Sequence, residues 1–187
     1  MTAPMHDEPS PRTAEAPMAF TTSELVGGVI TAAVAFNIAA PVLTIAVAAI
    51  ADPRYVGFAA YVVLFAWFLV VAPSTLVMCL AFTPLARVIG RAMRAEARRW
   101  PHLLVYAGLG ATASVAASIL AGLVIGALSG GGARTIGDGI AFLFPWGGIL
   151  APIAAGSAAV GWYRAWRRAI AADRRAVDAP TVGTPAD

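Results

Sequence analysis

Arginine is the one chemically assertive side chain this sequence carries in quantity. All 13 basic residues are arginine. Four of them, Arg87, Arg91, Arg94 and Arg98, fall at spacings of four, three and four, which on a helix lines up their guanidinium groups on one face. Leu85, Val88, Ile89, Ala92 and Met93 supply an apolar side. Pro84 and Pro101 bound the segment, so residues 84–100 read as an amphipathic helix on a membrane surface, with Trp100 near the headgroups. A second group, Arg164, Arg167, Arg168, Arg174 and Arg175, follows the aromatic residues Trp162, Tyr163 and Trp166. Arginines placed this way set membrane topology, which is their commonest role. They also hold anionic lipid headgroups, at about 1 kcal/mol each near the surface, or dock an acidic partner. Arg87, Arg91, Arg94, Arg98, Arg164 and Arg168 are the residues expected to contact lipid or a partner. A net charge of +3 and a single short stripe do not make a nucleic-acid surface.

Other chemistries lack their parts. Ser74, Ser114, Ser118 and Ser157 have no neighbouring His or Lys base, so nucleophilic catalysis has no support. The two histidines are far apart, His6 near the start and His102 at the edge of an apolar run, which argues against a bis-histidine haem or a His-rich metal site. Cys79 is the single cysteine. It excludes an intramolecular disulfide and a Cys-rich metal site, and reads as a small packing residue. No glycine-rich phosphate loop occurs, and no close pair of carboxylates lies in or beside an apolar run. The expectation is a protein that is not an enzyme and has no cofactor and no metal.

A third set of residues punctuates the apolar runs. Pro41 removes the helical donor of the Asn37 carbonyl four residues earlier. Pro73 is followed by Ser74 and Thr75, and Pro145 and Pro152 interrupt the last run. Asn37, Pro41, Pro73, Pro145 and Pro152 therefore mark helix breaks or hinges. In membrane helices such breaks are routinely kinks re-satisfied by local packing.

The elements that must position these groups are membrane helices. The chain has 187 residues, 59% hydrophobic and 12% charged, against about a quarter charged in a soluble domain. Four uncharged runs predict spans at about 25–50, 55–82, 103–128 and 140–163, each long enough to cross a bilayer. No charged residue lies inside them, whereas proton-coupled transporters generally keep one at mid-membrane. In the third span Gly110, Ser114, Ser118, Gly122 and Gly126 recur every fourth position. Such a stripe lets helix backbones approach closely, the main source of helix pairing in hydrocarbon. Gly147, Ala151, Ala155 and Ala159 form a second stripe in span four, expected to meet the first.

The predicted fold is all-α: a polytopic membrane protein of four transmembrane helices in two hairpins, with the arginine-rich amphipathic helix between the second and third. Residues 23–178 form the membrane domain. Residues 1–22, rich in Pro, Ala, Thr and acidic side chains, and residues 179–187 read as disordered tails. Five arginines lie between spans two and three and five follow span four, against Arg54 and Arg134 alone on the opposite loops. The positive-inside rule places both termini and the arginine helix in the cytoplasm. Absence of lysine and abundance of alanine point to a high-GC genome and a bacterial inner membrane. A shift of 77 residues lays Arg87, Arg91, Glu96 and Arg98 on Arg164, Arg168, Asp173 and Arg175, a hint of two parallel hairpin repeats that chance also produces in an Ala- and Arg-rich chain.

The function expected is that of a non-catalytic scaffold or accessory subunit of a membrane complex. It would contact the bilayer, anionic headgroups, and another membrane protein or further copies of itself, and not nucleic acid. The alternative is a small oligomeric transporter or channel for an uncharged or weakly polar solute.

Overall fold

The computed structural model describes residues 10–178, and among these all regular structure is helical. The helices are α1 (Thr22–Ala51), α2 (Val56–Ala66), α3 (Ala72–Ala92), α4 (Arg99–Leu128) and α5 (Ala133–Asp178). A 3-10 turn, Pro53–Tyr55, leads into α2, and a π-helical turn, Trp67–Val71, joins α2 to α3. The stretch Pro53–Ala92 thus acts as one span. Four helices are long and apolar enough to cross a membrane.

Local chemistry explains the boundaries. Thr21 caps α1: its side chain accepts from the Glu24 N–H while Glu24 accepts from the Thr21 N–H, a reciprocal capping box. Asp52 ends α1 and accepts from the Arg54 N–H ahead of Pro53, which starts the next turn. Between α4 and α5 only Ser129–Gly132 are non-helical. Gly130 and Gly131 turn there at φ of 136° and 69°, conformations glycine adopts without a Cβ clash.

Several expectations need correction. Pro84 does not open a separate amphipathic helix, because α3 runs through it to Ala92. One proline removes one helical donor, and the hydroxyl of Thr83 binds the Cys79 carbonyl just before it. The next helix begins at Arg99, with Pro101 in its first turn, where a missing N–H leaves no helical bond unmade. Arg87 and Arg91 therefore sit at the end of α3, Arg94 lies in the following turn, and Arg98 caps α4. They do not share one helical face. The loop expected at 129–138 contracts to four residues, and α5 runs unbroken for 46 residues through Pro145 and Pro152.

Residues Ser10–Thr21 are also placed against the bundle, contrary to the tail expected over 1–22. Met18 is buried and its N–H donates to the Arg94 carbonyl at 3.2 Å. The remainder of that tail, and the one over 179–187, lie outside the described residues.

Helix α5 is central, packed along α4 on one side and α1 on another. A Cβ added at Gly110 would stand 2.5 Å from the Ala154 carbonyl oxygen, and one at Gly122 would stand 2.6 Å from Ile140 Cα. Gly126 faces Ile136 in the same way, and Gly147 faces Ser118. On the other side Gly161 and Ala165 of α5 lie against Gly28 and Ala32 of α1. The α5 face toward α4 includes Gly147, Ala154 and Ala158. The second span is the outlier, touching the other helices sparsely along its length.

Candidate functional site

Because the second span stands off, an elongated cavity of about 660 Å³ separates it from α1, α4 and α5. Its lining runs from Ala86 and Ala165 at one end to Val62, Ile125 and Phe142 toward the other. The 24 residues from Val62 to Ala86 rise about 36 Å along the span, so the slot is long and narrow.

No charged residue lines it, and most of its hydroxyls are already engaged; the Ser157 hydroxyl and the buried Nε1–H of Trp162, both on lining residues, have no partner. Thr44, Ser74, Thr75 and Thr83 donate to the carbonyls of Ala40, Val70, Val71 and Cys79 at 2.5–2.8 Å. Ser118 donates to the Ser114 carbonyl, and Ser114 crosses to the Gly147 carbonyl at 3.1 Å. These back-bonds are how hydroxyls satisfy themselves in hydrocarbon, and they leave the slot an apolar interior.

The helix breaks cluster beside it. Asn37 Nδ2 donates to the Ala33 carbonyl at 2.9 Å, and its Oδ1 accepts from Trp67 Nε1 at 3.0 Å. Phe36 packs on the same indole, with ring centroids 5.6 Å apart. Trp67 opens the π-helical turn, and Pro73 follows at the start of α3. Asn37 and Pro73 therefore belong to one junction between the first two spans. Pro41, Pro145 and Pro152 lie inside continuous helices elsewhere.

The second polar centre is the end where the N-terminal segment, the 93–98 link and the last turns of α5 meet. Arg12 Nε and Nη2 donate to the two carboxylate oxygens of Asp173 at 2.5 and 3.1 Å. Its Nη1 and Nη2 donate to Glu24 at 3.1 and 2.9 Å, and Nη1 also reaches the Ala19 carbonyl. Burial works against the charge of Arg12, but the hydrogen bonds to Asp173 and Glu24 outweigh it and hold its pKa above the ordinary arginine value. Beneath this knot, His102 is 1% exposed and stacks on Trp162 at 5.2 Å, its Nε2 against the Glu96 carbonyl at 2.9 Å. Tyr106 packs on the same indole and donates to the Ala86 carbonyl at 3.2 Å. This network ties α3, α4 and α5 together with the N-terminal segment.

The two ends differ in charge. The end just described holds eleven arginines and five carboxylates among residues 10–24, 84–102 and 164–178, while Asp52, Arg54, Arg134 and Asp138 balance at the other. Among the described residues the ion pairs are those of Arg12, which neutralise Glu24 and Asp173. Arg87, Arg91, Arg94, Arg98, Arg164 and Arg168 are all exposed. A cleft of about 420 Å³, not expected from the sequence, lies between Arg99 of α4 and Trp166, Arg167, Arg174 and Arg175 of α5. Arg99 and Trp166 are 67 residues apart, and no local pattern announces their meeting.

No group of three metal-ligating side chains converges among the described residues. No protein-family model, curated protein or solved structure matches the chain. The functional reading therefore rests on geometry and chemistry.

Proposed function

We propose that this chain is a non-catalytic scaffold or accessory subunit of a bacterial inner-membrane complex, with both termini and the arginine-rich end in the cytoplasm. The supporting observation is the contrast within the bundle. Helices α1, α4 and α5 approach at backbone distance, while the second span turns its large side chains outward. Phe58, Phe65, Phe68, Leu69, Leu76 and Leu80 are 60–75% exposed. That face spans the bilayer and offers shape to a partner helix, another protein's or a second copy's, where packing is the main attraction.

The slot bears on the alternative of a small transporter. A weakly polar solute meets hydroxyl donors mostly bound to carbonyls already, Ser157 excepted. What suits the slot is a hydrocarbon chain, which favours the scaffold reading over passage of a polar solute and narrows the transporter reading to apolar cargo.

Photo-crosslinkers at Phe65, Phe68 and Leu76, activated in native membranes, test the proposal. A scaffold gives one recurring protein adduct, whether a distinct partner or a second copy. Lipid adducts alone at all three positions would refute it. Orientation is checked separately by labelling single cysteines introduced in a Cys79→Ala background. Positions 54 and 134 should react from outside and 91 and 174 should not; the reverse pattern overturns the topology.

A further inference from the structure

We propose that the cleft between the first turn of α4 and the last turns of α5 binds the phosphate of an anionic lipid headgroup. This rests on the membrane-protein reading above, and it moves the lipid contact that the sequence suggested for Arg87, Arg91, Arg94, Arg98, Arg164 and Arg168 to a different set of residues.

Arg167, Arg174 and Arg175 come from one side of α5, with Ile170 and Ala171 between them, and Arg99 faces them from α4. Four guanidinium groups thus line a single concavity, and no carboxylate lines it with them. Asp173, adjacent in sequence to Arg174, is bonded to Arg12. Two of the four groups are positioned in advance. The Arg99 guanidinium carbon lies 4.2 Å from the centroid of the Trp166 ring, a cation–π contact. Arg175 Nε donates to the Ala171 carbonyl at 3.1 Å, which leaves its terminal nitrogens for a ligand.

Like charges gathered without a counter-charge repel one another, and a bound anion reverses that sign. Among anions, phosphate matches the fork of guanidinium donors bidentately. Size then selects the source. A water claims about 30 Å³, so 420 Å³ holds on the order of a dozen waters, more room than a bare phosphate fills. A phosphodiester with its polar head fits better. Position agrees, because Trp100, Tyr163 and Trp166 mark this level as the boundary between apolar and polar surroundings.

The test uses the full chain in a neutral detergent and calorimetric titration with three probes: dihexanoyl phosphatidylglycerol, dihexanoyl phosphatidylcholine and inorganic phosphate. The expected order is phosphatidylglycerol tightest, the zwitterionic lipid weak, and inorganic phosphate in between. Inorganic phosphate binding as tightly as phosphatidylglycerol would keep the phosphate site and assign it a soluble ligand. Arg99→Gln/Arg174→Gln should weaken phosphatidylglycerol binding roughly 25-fold, about fivefold per charge. Arg87→Gln/Arg91→Gln removes the same charge outside the cleft and should change it less than about twofold. Arg174→Gln alone, which disturbs no intramolecular contact described above, should cost about fivefold and guards against a folding artefact in the double variant. Equal losses in both double variants would mean diffuse attraction and overturn the site, as would no preference for the anionic lipid. Detergent solution has no sides, so this outcome is independent of the topology and crosslinking tests.

Discussion

Along α4 and α5 the two backbones lie so close that Gly110 and Gly122 have no room for a Cβ, whereas α1 and the second span are joined by side chains. There the Trp67 indole bonds Asn37 at 3.0 Å and packs on Phe36. Much of the rest of that boundary is the slot. One hairpin is held by the absence of side chains and the other by a few specific ones. In lipid the hydrophobic effect favours neither arrangement, so helices separate unless backbone packing or a hydrogen bond holds them. The difference teaches which half of the protein is fixed and which half is free to meet something else.

The comparison breaks most readily at the seam. Gly122→Leu should destabilise the fold by about 3 kcal/mol or more, since the backbones must part to admit it. Ser118→Leu should act similarly through the contact with Gly147. Leu76→Phe and Leu80→Phe on the outward face of α3 should cost less than about 0.5 kcal/mol. Thermal melts in mild detergent measure both, and equal shifts would dissolve the distinction between the hairpins.

A smaller effect is expected at the arginine-rich end. Arg12→Ala leaves Glu24 and Asp173 facing each other without a cation, at a partly exposed site where a fully buried pair would be worth more. About 2 kcal/mol is expected. Hydrogen exchange sharpens the reading: amides in residues 12–21 should lose protection while those of α4 keep it. Protection unchanged in both would show that the segment is held by Met18 and Phe20 instead.

The smallest effect concerns the polar tie between α1 and the second span. Asn37→Ala or Trp67→Phe should each cost about 1 kcal/mol, and the double variant should cost little more than either alone. Additive losses would mean the two side chains do not act on each other, and α1 and the second span would then meet by apolar contact only.

The four spans and the small residues of α4 were legible because both are properties of composition and short periodicity. What escaped was set by contacts distant in sequence or by a rule applied too strictly. Pro84 reads as a boundary, yet in hydrocarbon a helix that loses one hydrogen bond has nowhere better to go, and α3 continues. The segment around Arg12 reads as solvent-loving, because its two carboxylate partners lie 12 and 161 residues away. The arginines at spacings of four, three and four drew attention to a face that the end of α3 at Ala92 dismantles. The four that share a cleft, Arg99, Arg167, Arg174 and Arg175, come from two helices and have no common period. Arg12 was hidden by its neighbours' composition, and the cleft by topology.

The π-helical turn at Trp67–Val71 carries a further consequence, for insertions and deletions. Such a turn takes up one residue more than an α-helix needs without changing the phase of the helix after it. Wound as ordinary helix, this stretch would advance all of α3 by about 100°, and Leu85 would arrive where small, buried Ala86 now lies under Tyr106. A one-residue deletion among Phe68–Val71 therefore restores regular winding and leaves α3 seated on α4. The same deletion a turn or two further along, between Leu76 and Thr83, would rotate Ala86 out of place. The second span has one position where its length is negotiable, and it is the position that Asn37 grips.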